Sequence, residues 1–394
     1  MKKTIRDFDL RGKRALIRVD YNVPLDKELK ITDDNRIRAT LPTIRYALDH
    51  GAKVVLMSHL GRPEGKPVSS MSLSPAAKRL SELLHTEVIQ CSDAVGDRVK
   101  QELSRLEGAT QVALLENLRF SAAEEKNDEA FARALAQNGD VYINDAFGSS
   151  HRAHASIVGV TKHLPSGAGF LLEKEIRYLG EAMSVPRKPF VAILGGSKVS
   201  DKIGVVENLI SKVDKILIGG AMAYTFLKVK GVEIGSSRCE KDKLELAAAI
   251  LEKAKAARVD ILLPVDHLTV QKVEAGALSR VEGPSISPGW LGVDIGPKTI
   301  ELFRSALDPA KTVIWNGPMG VFEMQPFAKG SYEIALKLTR MSGATTVIGG
   351  GDTAACVIGF GFEGKVTHIS TGGGASLEYL EGKELPGIAA LEDR

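Results

Sequence analysis

Eight times along the chain, a short run of aliphatic or β-branched residues ends in a cluster of glycine and polar residues, and a helical stretch follows. The early runs are Arg14–Val19 (RALIRV), Ala52–Met57 (AKVVLM), Gln111–Leu115 (QVALL) and Val141–Ile143 (VYI). The later ones are Phe190–Leu194 (FVAIL), Lys215–Ile218 (KILI), Thr312–Trp315 (TVIW) and Thr345–Ile348 (TTVI). Continuous apolar strands that alternate with helices imply a parallel sheet buried on both faces. At 394 residues the chain is too long for one ordinary core. The expected fold class is therefore α/β, with two doubly wound, Rossmann-like parallel sheets.

The intervening segments read as helices. Glu129–Asn138 is Ala-rich with apolar residues at helical spacing, and Leu244–Ala257 repeats Leu, Ala and Ile along one side. Between the halves, Leu172, Ile176, Leu179 and Met183 also recur at helical spacing, and Val185–Pro189 then stops the helix with two prolines. The expected organisation is a first domain over 1–170, a connecting hinge helix over 171–185 and a second domain from 186 to about 377.

Composition excludes other classes. Hydrophobic residues at 44% and charged residues at 26% are ordinary for a globular protein. No apolar run approaches the ~20 residues that cross a bilayer, and the N-terminal MKKTIRDFDLRGK lacks the apolar stretch of a secretory signal. Cys91, Cys239 and Cys356 are far apart and form no CxxC pair, which predicts reduced thiols in a cytoplasmic protein. The net charge of +3 falls within residues 1–170, where 25 Lys and Arg face 22 Asp and Glu. There is no Lys/Arg run and aromatics are only 5%, so no nucleic-acid partner is expected. A local cationic site for a small anion fits better.

In doubly wound sheets, ligands bind beyond the C-terminal ends of the strands. The first half places Asp20, Asn22, His59, Arg62, Arg119, His151, Arg152 and His154 there, and Arg36 opens a probable helix. An arginine can fork two hydrogen bonds onto a carboxylate or phosphate. Four arginines at one sheet edge suit a small, multiply charged anion. The alternative is that each merely solvates a loop or pairs with Asp33, Asp34 or Glu116. His151 and His154 have a spacing that can bind zinc on a helix, but their context is a loop without nearby cysteine.

The second half carries glycines and lysines. Gly195-Gly-Ser-Lys198-Val-Ser-Asp-Lys202 follows a strand but is not a Walker A loop. A glycine turn opening a helix directs N–H groups at an anion, and Lys198 and Lys202, four apart, would share one helix face. Gly349-Gly-Gly-Asp352-Thr353 offers a lone carboxylate beside such amides, which suits magnesium. Thr371-Gly-Gly-Gly-Ala-Ser offers a third helix N-terminus, or else a flexible linker. Gly359-Phe-Gly361-Phe-Glu-Gly364 matches GxGxxG, but in the order helix then strand, the reverse of a dinucleotide fingerprint.

Taken in order, RVDYNVP, SHLGRP, ENLRF followed by EEKND, NDAFGSSHRAHAS, GGSKVSDKI, WNGPMGVFE, GGGDTAA and STGGGASLE resemble phosphoglycerate kinases over the whole chain. The resemblance implies reversible phosphoryl transfer from 1,3-bisphosphoglycerate to ADP, giving 3-phosphoglycerate and ATP, with Mg2+ as cofactor. It implies an acid-substrate domain completed by the C-terminal tail, about 378–394, a nucleotide domain, hinge closure and a monomer. Position by position, Asp20, Asn22, His59, Arg62, Arg119 and Arg152 resemble the acid-substrate pocket, and Arg36 the arginine nearest the transferred group. Lys198, Lys202 and Asn316 resemble the phosphate contacts. Gly292 and Glu323 resemble part of the adenosine site, with Glu323 on the ribose. Gly350, Gly351 and Thr353 would line the phosphates, Asp352 would hold magnesium, and amides around Gly372, Gly373 and Gly374 would face the moving group.

Phosphoryl transfer asks for in-line alignment and positive charge around the equatorial oxygens, with little covalent chemistry. Two rival readings differ in class. A non-catalytic clamshell would bind a small anion, but has no use for Asp352 with Lys198 and Lys202. A nicotinamide dehydrogenase is weakened by the misplaced GxGxxG.

Overall fold

All eight apolar runs are strands in the structure, a computed structural model that describes residues 1–108 and 111–394. The first sheet is parallel, in the spatial order Val88–Gln90, Val112–Leu114, Lys53–Met57, Arg14–Arg18, Val141–Asn144, Ser166–Ala168. The second is also parallel, in the order His368–Ile369, Thr345–Gly349, Thr312–Asn316, Phe190–Leu194, Lys215–Ile218, Asp260–Leu262. The central strands are buried along nearly their whole length, which is why they read as unbroken apolar runs.

A sheet order of this kind has one place where successive connections turn to opposite sides, and a crevice opens there. In the first sheet the chain leaves Arg14–Arg18 toward Lys53–Met57 and later returns on the other side as Val141–Asn144. In the second, Phe190–Leu194 is flanked by Lys215–Ile218 and by Thr312–Asn316. Each crevice therefore lies beyond strand ends that carry predicted site residues.

A third, three-stranded antiparallel sheet, Ser279–Glu282, His267–Val270 and Leu291–Ile295, was not anticipated. Its outer strand is mostly exposed and holds no apolar run, so it lacks the signal that marks the other strands.

The chain divides into two compact units, Met1–Ile176 with Glu384–Arg394, and Arg177–Lys383. The division falls inside the helix Phe170–Ser184. Ile17, Ile37, Leu56 and Ile143 lie in the core of the first unit, and Ile193, Phe303, Trp315 and Ile334 in that of the second. The last residues return to the first unit: Lys3 N–H donates to the Glu392 carbonyl (2.8 Å), Asn144 Nδ2 to Gly387 O (3.0 Å) and Arg394 Nε to Asp7 (2.9 Å). The return begins at Glu384 because the helix Gly374–Leu380 is tied to the second unit, where Asn208 Nδ2 donates to Leu380 O (2.7 Å).

Candidate active site

In the first unit, Arg18 ends the central strand and is only 1% exposed. A buried cation must be hydrogen-bonded. Arg18 Nε donates to Ser156 Oγ (2.9 Å), Nη1 to the Val19 carbonyl, and Nη2 meets His59 Nδ1 at 3.1 Å. A guanidinium only donates, so His59 Nδ1 accepts and the ring proton sits on Nε2. Two residues further on, Asp20 pairs with Arg36 at 2.9 Å, on the first turn of the helix Asn35–Asp49. Asp20 also accepts Asn22 N–H (3.2 Å), and Asn22 Oδ1 accepts Gly61 N–H (2.9 Å). Arg119 is buried, donates to the Gly61 carbonyl (2.9 Å) and lies 3.4 Å from Glu125.

Arg62 is exposed and Arg152 half-buried, and among the described residues neither has an ion-pair partner. Asp33, Asp34 and Glu116 do not take the site arginines. Asp34 binds Arg38 and Arg79, Asp33 accepts Asn35 N–H, and Glu116 accepts from Ser72 and Leu73.

The buried groups around these arginines carry little compensating charge. Burial drives the His59 titration well below its usual range, with Arg18, Arg119 and Arg36 adding to the effect against Asp20. Burial and then Arg119, Arg18 and Arg152 push His154 down to about 4. Both rings are thus neutral at pH 7. Burial would raise the Asp20 carboxyl, but His59, Arg36 and Arg18 hold it below its ordinary value. Glu124, fully buried, is raised by burial although Ser156 N–H (2.9 Å) and Oγ–H (2.5 Å) both donate to it. The result is a pocket with excess positive charge and neutral imidazoles, suited to an anion of more than one charge. His151 and His154 do not make a metal centre: among the described residues, no group of three His, Cys, Asp or Glu is placed to hold an ion.

In the second unit, Gly195–Lys202 follows the strand Phe190–Leu194, but the helix begins only at Ile203, with Lys202 at its N-cap. The two lysines expected on one helix face lie instead on the preceding loop. Gly195 N–H and Gly196 N–H donate to Asn316 O and Pro318 O (both 3.0 Å), and Gly196 has φ +101°. These anchors turn the chain away from a helical path until Ile203. Lys198 is exposed, while Lys202 is half-buried and donates to Asn316 Oδ1. Burial, partly offset by Asp201, Asp352 and Glu381, lowers the Lys202 titration to about 8.

Asn316 is fully buried, and its Nδ2 has no hydrogen-bond partner. A Cβ built on Gly350 would stand 3.0 Å from that nitrogen, so it faces the glycine turn. An orphaned buried donor costs about 1–3 kcal/mol, and an anion against Gly350 would relieve it. Gly350 caps the helix Gly351–Gly359, and Asp352 stands exposed in its first turn. Thr353 is buried, and its hydroxyl accepts Gly317 N–H (2.6 Å), so this side chain braces the turn after Thr312–Asn316. Gly373 caps the helix Gly374–Leu380, whereas Gly372 N–H is turned onto Ser370 Oγ (3.1 Å).

A cleft of about 270 Å³ joins Gly220, Tyr224, Gly292, Pro318, Glu323 and Asp352. A side chain at Gly292 would overlap the Tyr224 hydroxyl, so glycine is required there to keep the cleft shaped. Asp294 forms part of its wall, and burial raises its carboxyl to about 7 although Gly330 N–H (2.6 Å) and Ile295 N–H (2.9 Å) donate to it. A larger open hollow of about 1080 Å³, near Lys30, Asp34 and Arg79, contains none of the predicted site residues.

Asp352 also fits the magnesium expectation. It is an exposed carboxylate in the first turn of a helix whose cap, Gly350, faces the unpaired Asn316 Nδ2. Such a set suits an ion that keeps several waters and arrives with phosphate oxygens. Sequence reasoning overlooked Arg18, Glu124, Tyr224 and Asp294. For Arg18 a signal existed: apart from Arg14 at its start, RALIRV is apolar, and a charge at the buried C-terminal end of such a run demands partners or a function.

The family described as phosphoglycerate kinase matches residues 5–383. The phosphoglycerate kinase of Thermosipho africanus is 54% identical over 397 residues, covering 100% of this chain and 98% of that protein. That of Chlorobaculum tepidum is 55% identical over 396 residues, covering 100% of both. Among solved structures, phosphoglycerate kinase from Coxiella burnetii superposes with a TM-score of 0.89 at 38% identity, covering 99% of this chain and 98% of that one.

Proposed function

The chain belongs to the phosphoglycerate kinase family, and from that premise we propose how its residues divide the work. The activity is that of a phosphotransferase with a carboxyl group as acceptor: 1,3-bisphosphoglycerate and ADP interconvert with 3-phosphoglycerate and ATP. The first unit holds the glycerate, with Asp20, Asn22, His59, Arg62, Arg119 and Arg152 as its pocket. The second holds the nucleotide, with Gly292 and Glu323 toward the adenosine, and Lys198, Lys202, Asn316, Gly350, Gly351 and Thr353 toward the phosphates.

The observation that carries this reading is the orphaned Asn316 Nδ2 beside Lys202 and Gly350. A buried donor and a destabilised ammonium at one strand end both await an anion. Magnesium bound at Asp352 would neutralise charge on the phosphate oxygens.

Turnover then needs positioning rather than a nucleophile. Cys91 and Cys356 are pushed up to about 12 by burial and are unfit for attack at neutral pH. The carboxylate of 3-phosphoglycerate is already ionised, so no strong base is required. Arg36 reaches the transferred group when Asp20 shares it with the anion, and the turn at Gly373 and Gly374 adds to the charge, whereas the Gly372 amide is already spent on Ser370. Direct in-line transfer requires the ligands to meet with water excluded, which is the work of closure about the connecting helix. The three free cysteines support a cytoplasmic location and the family resemblance a monomer. The test is a coupled assay for ATP-dependent acyl-phosphate formation from 3-phosphoglycerate. Absence of turnover with both substrates and magnesium present would overturn the assignment.

A further inference from the structure

We propose that Glu240 is a positioning residue for the reaction: its carboxylate fixes the loop Ser197–Lys202 so that Lys198 and Lys202 stand ready for the nucleotide phosphates. The inference rests on the assignment of those lysines above.

The loop is anchored at both ends. Gly195 and Gly196 are bonded to Asn316 O and Pro318 O, and Met222 N–H returns to Gly196 O (3.0 Å). At the far end, Lys202 N–H donates to Val199 O (2.9 Å) and Lys202 Nζ to Asn316. The middle is held by Glu240. Val199 N–H and Ser200 N–H (3.2 Å) both donate to Oε2, and Ser200 Oγ–H donates to Oε1 (2.7 Å). Glu240 is itself fixed, since its N–H donates to the buried Thr225 hydroxyl (3.1 Å) on the helix Met222–Val229. One carboxylate thus takes two consecutive amides that would otherwise lack acceptors, directly between the two lysines.

Glu240 acts through the backbone rather than through its charge. The carboxylates that Lys202 feels are Asp201, Asp352 and Glu381. A loop held before the ligand arrives loses less freedom on binding, which strengthens binding without a new contact.

This separates geometry from charge in a test. In Glu240→Gln, the amide oxygen can still accept both N–H groups while its NH2 donates to the Ser200 hydroxyl. In Glu240→Ala nothing accepts them. Steady-state kinetics on the full chain should show a nucleotide KM about tenfold higher for Glu240→Ala, about 1.4 kcal/mol. Glu240→Gln should stay within about threefold of the parent, and the KM for 3-phosphoglycerate should not move in either. A merely structural lesion would lower the active fraction and leave both KM values unchanged. An unmoved nucleotide KM in Glu240→Ala, or a Gln variant as impaired as Ala, overturns the proposal. If Glu240→Ala does not fold, Ser200→Ala cuts one contact and should raise the nucleotide KM about threefold; no rise overturns it equally. Lys202→Ala run in parallel tests the premise: if it leaves the nucleotide KM intact, the lysine assignment fails, whatever Glu240 shows.

Discussion

Lys202→Met should make the ligand-free protein more stable while it damages nucleotide binding. The Lys202 ammonium titrates at about 8 instead of 10.5, chiefly because it is buried. At about 1.36 kcal/mol per pH unit, holding it protonated in the folded state costs roughly 3 kcal/mol below pH 8. The variant is relieved of that cost but loses the charge-assisted bond to Asn316 Oδ1, worth about 1.5 kcal/mol at the low end for a charged donor. The net expectation is about 1.5 kcal/mol of added stability at pH 7.

The pH dependence supplies an internal control. A lysine whose folded titration lies below its unfolded one leaves the native state with fewer bound protons between pH 8 and 10.5. The parent protein therefore gains stability across that window as pH rises. The advantage of Lys202→Met should shrink above pH 8 and be nearly gone at about pH 9.5. Urea unfolding of both proteins at pH 7 and 9.5, read as the difference between them, measures this. Titration with MgADP should show affinity lower by about 10–100-fold, the loss of a charge-assisted bond. A variant no more stable than the parent at pH 7, or an advantage independent of pH, refutes the reasoning.

Three further outcomes are expected. Arg36→Ala should cut turnover by at least ~100-fold, as for one well-placed charge donor, with a smaller change in acid-substrate affinity; near-normal turnover removes Arg36 from its role. Asp352→Ala should move the magnesium titration of the rate to higher concentration and lower the plateau, and an unchanged curve counts against the metal assignment. Gly292→Ala forces a Cβ into the Tyr224 hydroxyl, so the nucleotide KM should rise while the KM for 3-phosphoglycerate stays put; equal effects on both would place Gly292 outside the nucleotide cleft.

The strands were legible because burial on both faces leaves an unbroken apolar run, as in Phe190–Leu194 and Thr312–Asn316. The residues just past their ends were legible for the same reason: once the strand is placed, its C-terminal edge is placed too. Asp20 and His59 follow from that, whereas Asn316, itself the last residue of its strand, was suggested only by the family resemblance. The antiparallel strand Ser279–Glu282 was not legible, because an exposed edge carries no such run. Local geometry was harder still. The spacing of Lys198 and Lys202 suggested one helix face, yet the loop anchors on Asn316 and Pro318 delay the helix to Ile203. Those anchors come from a strand more than a hundred residues away, and no local pattern reports them.

The hidden members of the site are polar groups, Arg18 and Asp294 buried and Glu240 half-buried, that touch a site residue or brace a turn beside one. Arg18 hydrogen-bonds His59, Glu240 holds the backbone between two lysines, and Asp294 ties Gly330 beside the nucleotide cleft. Burial makes Arg18 and Asp294 costly unless they find partners. The groups left unsatisfied are then the informative ones. Asn316 Nδ2 lacks a partner and Lys202 titrates low, in a unit whose other buried polar side chains are mostly bonded. A phosphate at that point would satisfy both at once, so the free energy withheld from folding becomes available to nucleotide binding.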